Sequence, residues 1–541
     1  MTLLPLKIIL ASLVTCCVAD WPDVHKRTQG MVWPAPKVLQ DSKRPFPFDP
    51  RLVKVVTSYS CDILTSALAS FSRKTNIALS HSGNTNASSI ELHVTVVDNL
   101  CPDSPQMGMA EDYNITTNSS IITLQSTAVW GAVRGLETLS QLVYSTDKGL
   151  MMKTASVQDA PRFEHRGLLL DTSRHFFSID VIKAIIELCA ENKLNIFHWH
   201  LTDIQSFPFR PTAYPQLAKG AFDERHIYSQ HDIKTAVSFA RLRGVRVLLE
   251  VDTPGHAYSW GVGIPSIVSR CFDTLGRESL DRSMLDPTNP LTFDVLTSLF
   301  KELFSLFPER IVHLGGDEAS FWISQCWENN KNVSDYMRLW GMNSTRDLEQ
   351  HYFNRLIDHL TARDMPKRQF MVWQEVLDEG IKLNEIIGHV WKGNTRKEQQ
   401  DSVRAVIKSG HLAVLSSCWY LDHISWNMDV VDYYNCDPQD LEGVTAIERS
   451  RVIGGEVAMW GEMVDASNVI PRIFPRASAV AEKLWSSEDF TRRTNATAEW
   501  PRLYEWSCRM AERGFPSQPG FGPGFCPWEY VPALPQQLLH V

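Results

Sequence analysis

Two adjacent carboxylates in RIVHLGGDEAS (Arg310 to Ser320) mark the first candidate for chemistry. Asp317 and Glu318 follow a short apolar run and the pair Gly315-Gly316. Buried together, neighbouring carboxylates repel and at least one pKa rises, which suits an acid catalyst. The dipeptide alone says little, because Asp223-Glu224 and Asp378-Glu379 repeat it. Its setting decides. Short apolar runs ending in polar or aromatic residues recur along the chain, and those ends carry Arg174, Asp203, His256, Asp317, Glu318, Trp373, Trp391, Tyr420, Asp422, Trp460 and Glu462. Gathered at one mouth, they would offer carboxylates and an arginine for vicinal hydroxyls and indole faces for pyranose rings. A carboxylic acid of raised pKa would serve a glycosidic oxygen. That set reads as a sugar site. It contains no thiol nucleophile, and no Cys-x-x-Cys or His-x-x-x-His pattern marks a metal site, so no metal or cofactor is expected.

The elements that must position these residues are eight apolar runs. They are Arg166 to Phe176, Lys193 to Asp203, Val245 to His256, Arg310 to Glu318, Gln369 to Glu375, Ile386 to Gly393, Leu412 to Asp422 and Val452 to Glu462. Helical segments separate most of them, and Ile179 to Lys193, 232–243 and 292–307 carry apolar residues at 3–4 spacing. Strands apolar on both faces that alternate with helices imply a parallel sheet with crossovers. Eight of them predict an α/β fold, a (β/α)8 TIM barrel with its chemistry at the strand C-termini. An open doubly wound sheet is the rival, but no G-x-G-x-x-G follows the first run.

Ahead of the barrel, Ile90 to Asp98 and Ile121 to Ser126 alternate as half-buried strands, and Thr127 to Val143 has helical spacing. The expected organisation is a signal peptide over 1–19, a small α+β domain over 20–160, and the barrel with a C-terminal extension over 161–541. The leader reading rests on Lys7, the apolar IILASLVTCCVA and the small Ala19. Six Asn-x-Ser/Thr sequons, at Asn86, Asn114, Asn118, Asn332, Asn343 and Asn495, point to a glycoprotein of the secretory route. Loss of Cys16 and Cys17 with the leader leaves nine of the eleven cysteines, an odd number that implies bridges and a free thiol. A net charge of -9 gives no basic field for nucleic acid or anionic membranes, and no membrane span is expected.

RGLLLDTSRHF, HWHLTDIQSFP, VDTPGH, HLGGDE, WYLD and the late WGE, in that order, resemble glycoside hydrolase family 20, the β-N-acetylhexosaminidases, and most of all its lysosomal animal members. The resemblance runs over nearly the whole mature chain. It implies exo-acting, retaining hydrolysis of β-linked GlcNAc or GalNAc in which the substrate's acetamido oxygen replaces an enzyme nucleophile. It makes Glu318 the general acid and base, Asp317 the partner of the acetamido N–H, and Tyr420 the donor to the acetamido oxygen. Asp203 and His256 would set the protonation of Glu318, although a structural role for His256 in the Pro254-Gly255 turn is an equal alternative. Arg174 and Glu462 match residues that bind O3 and O4, and Trp373, Trp391 and Trp460 match the walls around the acetamido methyl. His198 and His200 are read as core histidines. Asp422, beside O6, favours neutral over 6-sulfated sugars, with His423 matching neither known pattern. The same resemblance pairs Cys61–Cys101, Cys271–Cys326 and Cys508–Cys526, and leaves Cys189, Cys418 and Cys436 free. It implies a homodimer or heterodimer, with Trp426 where a tyrosine reaches the neighbouring site, a glycoconjugate or chitooligosaccharide substrate, and a lysosomal or secreted location.

Overall fold

The computed structural model describes residues 27–82, 86–279, 284–423, 429–519 and 524–527. The leader reading over 1–19 and Trp426 therefore lie outside the described residues. Eight parallel strands close into a barrel. They are β1 (His165–Asp171), β2 (Ile196–His200), β3 (Arg246–Glu250), β4 (Ile311–His313), β5 (Gln369–Trp373), β6 (Ile387–Val390), β7 (Leu412–Leu415) and β8 (Val452–Met459). Seven fall within the apolar runs, and β1 begins one residue ahead of its run. Closure is direct, with His165 to Leu170 of β1 in parallel register with Gly454 to Met459 of β8. Every residue of β1, β2, β3 and β8 is buried, because helices cover the outside and side chains fill the lumen.

The crossover helices fold as their apolar spacing requires. Ile179–Glu191 is capped by the Ser178 hydroxyl and buries Ile182, Ile185, Ile186, Leu188 and Cys189. Gln230–Arg241 opens with a capping box between Ser229 and Asp232. Pro290–Leu306 starts with proline in its first turn and buries a phenylalanine- and leucine-rich face.

Ahead of the barrel lies a six-stranded sheet, ordered Val38–Asp41, Ala155–Asp159, Tyr113–Thr117, Ile121–Ser126, Ile90–Val96 and Val53–Val56. Helices Asp62–Ser80 and Val129–Gln141 pack with it around their own apolar core. The second helix stops at Gln141, short of the expected Val143. Val143 instead opens strand Val143–Thr146, which pairs with Gly149–Met152. Buried ion pairs tie this domain to the barrel floor: Glu111 accepts from Arg134 at 2.8 Å and from Arg166 of β1 at 2.7 Å.

Among the described residues four disulfides form: Cys61–Cys101, Cys271–Cys326, Cys418–Cys436 and Cys508–Cys526. The third corrects the expectation that Cys418 and Cys436 are free. Cys418 follows β7 and Cys436 follows helix Asp429–Asn435, and the chain folds back to bring their Cα atoms within 6.4 Å. Only that return, not the spacing, reveals the pair. Among the described residues Cys189 is the free cysteine, buried, and burial pushes its thiol pKa up, which makes it inert. All six sequon asparagines are exposed. Among the described residues no helix is long and apolar enough to cross a membrane.

Candidate active site

The adjacent carboxylates sit on a turn that only this sequence pattern permits. After β4, Gly315 (φ 74°), Gly316 (φ 95°) and Glu318 (φ 53°) all take left-handed backbone angles. A Cβ on Gly315 would lie 1.7 Å from Asp252 Oδ1, so glycine is required there. The turn is pinned by Gly316 N–H to Asp252 Oδ1 at 3.0 Å and by Trp373 N–H to the Gly315 carbonyl at 3.0 Å. Asp317 is thereby buried, while the Glu318 side chain remains 39% exposed at the mouth.

Asp317 stands near a second buried acid, Asp252, close enough for the like charges to bear on each other. Burial and the like charge of Asp252 hold Asp317 well above the usual carboxylate range. Burial and Glu250 likewise raise Asp252 to about 7.

His256 joins the carboxylates to the rest of the site. Its Nε2 lies 3.7 Å from both Asp317 Oδ2 and Glu318 Oε2, and its Nδ1 bonds Asp203 Oδ1 at 2.9 Å. Burial opposes its charge, yet Asp203 and Asp317 raise its pKa to about 9. Asp203 also ion-pairs with Arg174 Nη1 at 2.6 Å and bonds His200 Nε2 at 2.8 Å. Burial opposes its charge, but His256 and Arg174 hold it far below the usual range.

The aromatic residues gather on the opposite side. Trp373, Trp391, Tyr420 and Trp460 share one apolar cluster with Leu169 and Ala458. Tyr420 lies 6.2 Å from Trp391 and 6.5 Å from Trp460 between ring centroids, and Arg174 lies 5.1 Å over the Trp460 ring. Tyr420 reaches this place because β7 breaks after Leu415. The chain then rejoins β8 through Ala458 N–H to Trp419 O at 3.0 Å and Leu421 N–H to Ala458 O at 2.8 Å. Trp373 is 1% exposed, donates its indole N–H to Glu250 at 2.8 Å and stacks on His389. It is therefore a floor beneath the site, whereas Trp391 and Trp460 are only partly buried. Glu462 is 3.8 Å from Arg174 Nε, and burial raises its pKa against the pull of Arg174. Asp422 adds to that rise, so it shares the same lip.

Five buried polar atoms at this mouth make no hydrogen bond among the described residues: Arg174 Nε, His256 Nε2, Asp317 Oδ1, Trp391 Nε1 and Asp422 Oδ1. Buried polar atoms are ordinarily satisfied, so orphans of both signs around one opening suit a ligand rich in donors and acceptors.

The comparisons agree with that chemistry. Residues 163–488 match the model of "Glycosyl hydrolase family 20, catalytic domain", and residues 32–142 match a "beta-acetyl hexosaminidase like" domain. The chain belongs to glycosyl hydrolase family 20. It is a glycoside hydrolase of the β-N-acetylhexosaminidase type. Among its relatives, Beta-hexosaminidase A of Caenorhabditis briggsae is 37% identical, covering 98% of this chain and all of that protein. Beta-hexosaminidase subunit beta of Homo sapiens is 40% identical over 79% of this chain and 75% of that one. Among solved structures, a Flavobacterium johnsoniae chitobiase superposes with a TM-score of 0.77 at 27% identity, covering 90% of this chain and 74% of the other.

The family 20 site extends beyond the residues singled out in the sequence. His200 is a buried core histidine with both ring nitrogens partnered, Nδ1 by Glu250 and Nε2 by Asp203. Burial opposes its charge, but Glu250 and Asp203 hold its pKa well above the ordinary value. A buried chain of alternating acid and imidazole runs Glu456, His198, Glu250, His200, Asp203, His256, with hydrogen-bond or ion-pair contacts between 2.5 and 3.0 Å. Asp171 accepts from Gly461 N–H at 3.0 Å and from Arg174 N–H at 3.1 Å, fixing the Arg174 and Glu462 loops together. Asp252, Glu375 and Lys392 complete the surroundings. Their signal was present, since Asp171, Asp252 and Glu375 also sit at run ends, but nothing in the sequence tells which neighbouring acid faces which.

Proposed function

We propose that this family 20 enzyme is an exo-acting β-N-acetylhexosaminidase that releases terminal non-reducing β-linked GlcNAc or GalNAc, with retention, through substrate assistance. The orphaned polar atoms around the Asp317–Glu318 turn carry this reading, because they are of the types and places a terminal N-acetylhexosamine would satisfy.

In the first step Glu318 gives its proton to the glycosidic oxygen. The acetamido carbonyl oxygen bonds C1, the C1–O bond breaks toward the leaving alcohol, and an oxazolinium ion forms. Tyr420 donates its hydroxyl to that carbonyl oxygen, orienting attack; burial and Asp317 keep the phenol protonated by pushing its pKa far up. Asp317 accepts the acetamido N–H and stands beside the positive charge that develops there. In the second step Glu318 takes a proton from water, whose oxygen bonds C1 as the ring opens. The second carboxylate is therefore a charge stabiliser rather than a nucleophile.

Arg174 and Glu462 close one end by binding O3 and O4, which supports exo action. Asp422 on the same lip would repel an anionic group at O6, so neutral sugars are preferred. The exposed sequons and four disulfides support passage through the secretory route to the lysosome or outside. A homodimer or heterodimer is the proposed assembly.

Replacing the substrate's acetyl by trifluoroacetyl weakens the internal nucleophile. Turnover should fall by more than about tenfold, a barrier rise above ~1.4 kcal/mol. An unchanged rate, or first release of the α-anomer, would overturn substrate assistance.

A further inference from the structure

The general acid proposed above is a residue in a backbone conformation that disfavours side chains, at φ 53°. Nothing in the turn's own sequence holds it there, since the glycines before it are the most permissive residues in the chain. The restraint comes from the next strand. Glu375, two residues past β5 and 2% exposed, accepts the Glu318 backbone N–H through Oε2 at 2.8 Å. Its other oxygen, Oε1, ion-pairs with Lys392 Nζ at 2.5 Å. Lys392 leaves the end of β6 and is itself fixed, because Gln374 Oε1 accepts the backbone N–H groups of both Trp391 and Lys392, at 3.0 and 2.9 Å. The ends of three consecutive strands are thus linked through one carboxylate to the acid's own amide.

We propose that Glu375 is a positioning residue for proton donation, and that it acts by its hydrogen bond to the Glu318 amide rather than by its charge. Lys392 holds the carboxylate in register and neutralises it, so that a second negative charge does not stand uncompensated beside the acid. Without the acceptor, Glu318 is free to rotate out of the left-handed region, and its carboxyl leaves the glycosidic oxygen. The loss falls on acid catalysis and spares substrate binding, because among the described residues Glu375 makes no hydrogen bond or ion pair to the sugar pocket aromatics or to Arg174. The inference rests on Glu318 being the general acid.

Two variants separate reach from charge. Glu375→Asp keeps the charge but withdraws the oxygen from the amide, and Glu375→Gln drops the charge but keeps an acceptor oxygen at the same reach. Each is assayed, with thermal stability recorded, on aryl N-acetyl-β-glucosaminides whose phenols range from dinitrophenol to methoxyphenol. A good leaving group needs no protonation, whereas a poor one depends on an acid whose contribution is typically about 10²–10⁴-fold. Glu375→Asp should lose roughly 10- to 100-fold in kcat on methoxyphenyl and less than about threefold on dinitrophenyl substrate. Glu375→Gln should stay within about threefold of wild type on both. Equal loss on every leaving group, or a Gln variant worse than the Asp variant, overturns the proposal. Wild-type turnover of these same glycosides tests the functional reading separately, since its absence would sink that reading whatever the variants do.

Discussion

Asp252 Oδ1 occupies the space next to Gly315 where any side chain would begin, 1.7 Å from a Cβ built there. The same oxygen accepts the Gly316 amide, and the charge of Asp252 bears on Asp317 and raises its pKa. One glycine therefore allows the second acid to stand against the first.

Gly315→Ala should cost about 1–2 kcal/mol from the left-handed backbone alone, with the clash adding to it. Because Asp252 must move, turnover should fall even below the melting transition. Denaturant midpoints together with kcat at 25 °C check this; a variant of wild-type stability and activity would sink the account of the turn.

Tyr420→Phe keeps the ring against Trp391 and Trp460 but removes the donor to the acetamido oxygen. The expected result is a fall of about 10²-fold in kcat, in the range seen when one oxyanion donor is removed, with KM little changed. A rise in KM alone would make Tyr420 a binding wall only.

His256 has a folded pKa of about 9, raised from 6.5 despite its burial by Asp203 and Asp317. Its protonated form is favoured by folding, so the stability it contributes is complete below pH 6.5 and disappears as pH rises through 9. The full contribution is about 3 kcal/mol. The gap in melting temperature between wild type and His256→Asn should be widest near pH 5–6 and should narrow by pH 10. A gap that is constant with pH would show that packing, not charge, is what the histidine contributes.

Asp422 is held above the usual carboxylate pKa, chiefly by burial, with His423 and Arg476 opposing. It gains charge as pH rises, so discrimination against 6-sulfated GlcNAc glycosides should grow with pH above the ordinary carboxylate range. Asp422→Asn should raise kcat/KM on the sulfated substrate by about tenfold, ~1.4 kcal/mol, and leave the neutral one nearly unchanged. Faster wild-type turnover of the sulfated glycoside would overturn the preference.

The barrel could be read from the sequence because each buried parallel strand is continuously apolar and ends where the chain must turn at the mouth. RGLLLD, IFHWH and VRVLLE show this plainly, and β4 does so in only three residues because HLGGDE announces its end. The types of the mouth residues were legible for the same reason: a strand end fixes which side of the barrel a residue occupies. What one residue does to another was not legible. Cys418 and Cys436 meet only because the chain after β7 doubles back. His200 is core, as its run suggests, but its place in a chain of acids and imidazoles from β2, β3, β8 and the loops after them shows only in the fold. Trp373 points down onto Glu250 and His389 rather than out to the opening. Sequence alone determined the fold, the strand ends and the chemical character of the mouth, since these follow from local pattern. Only the tertiary structure decided which carboxylate faces which and which orphan atoms point into the opening, because those pairings join residues tens to hundreds of positions apart.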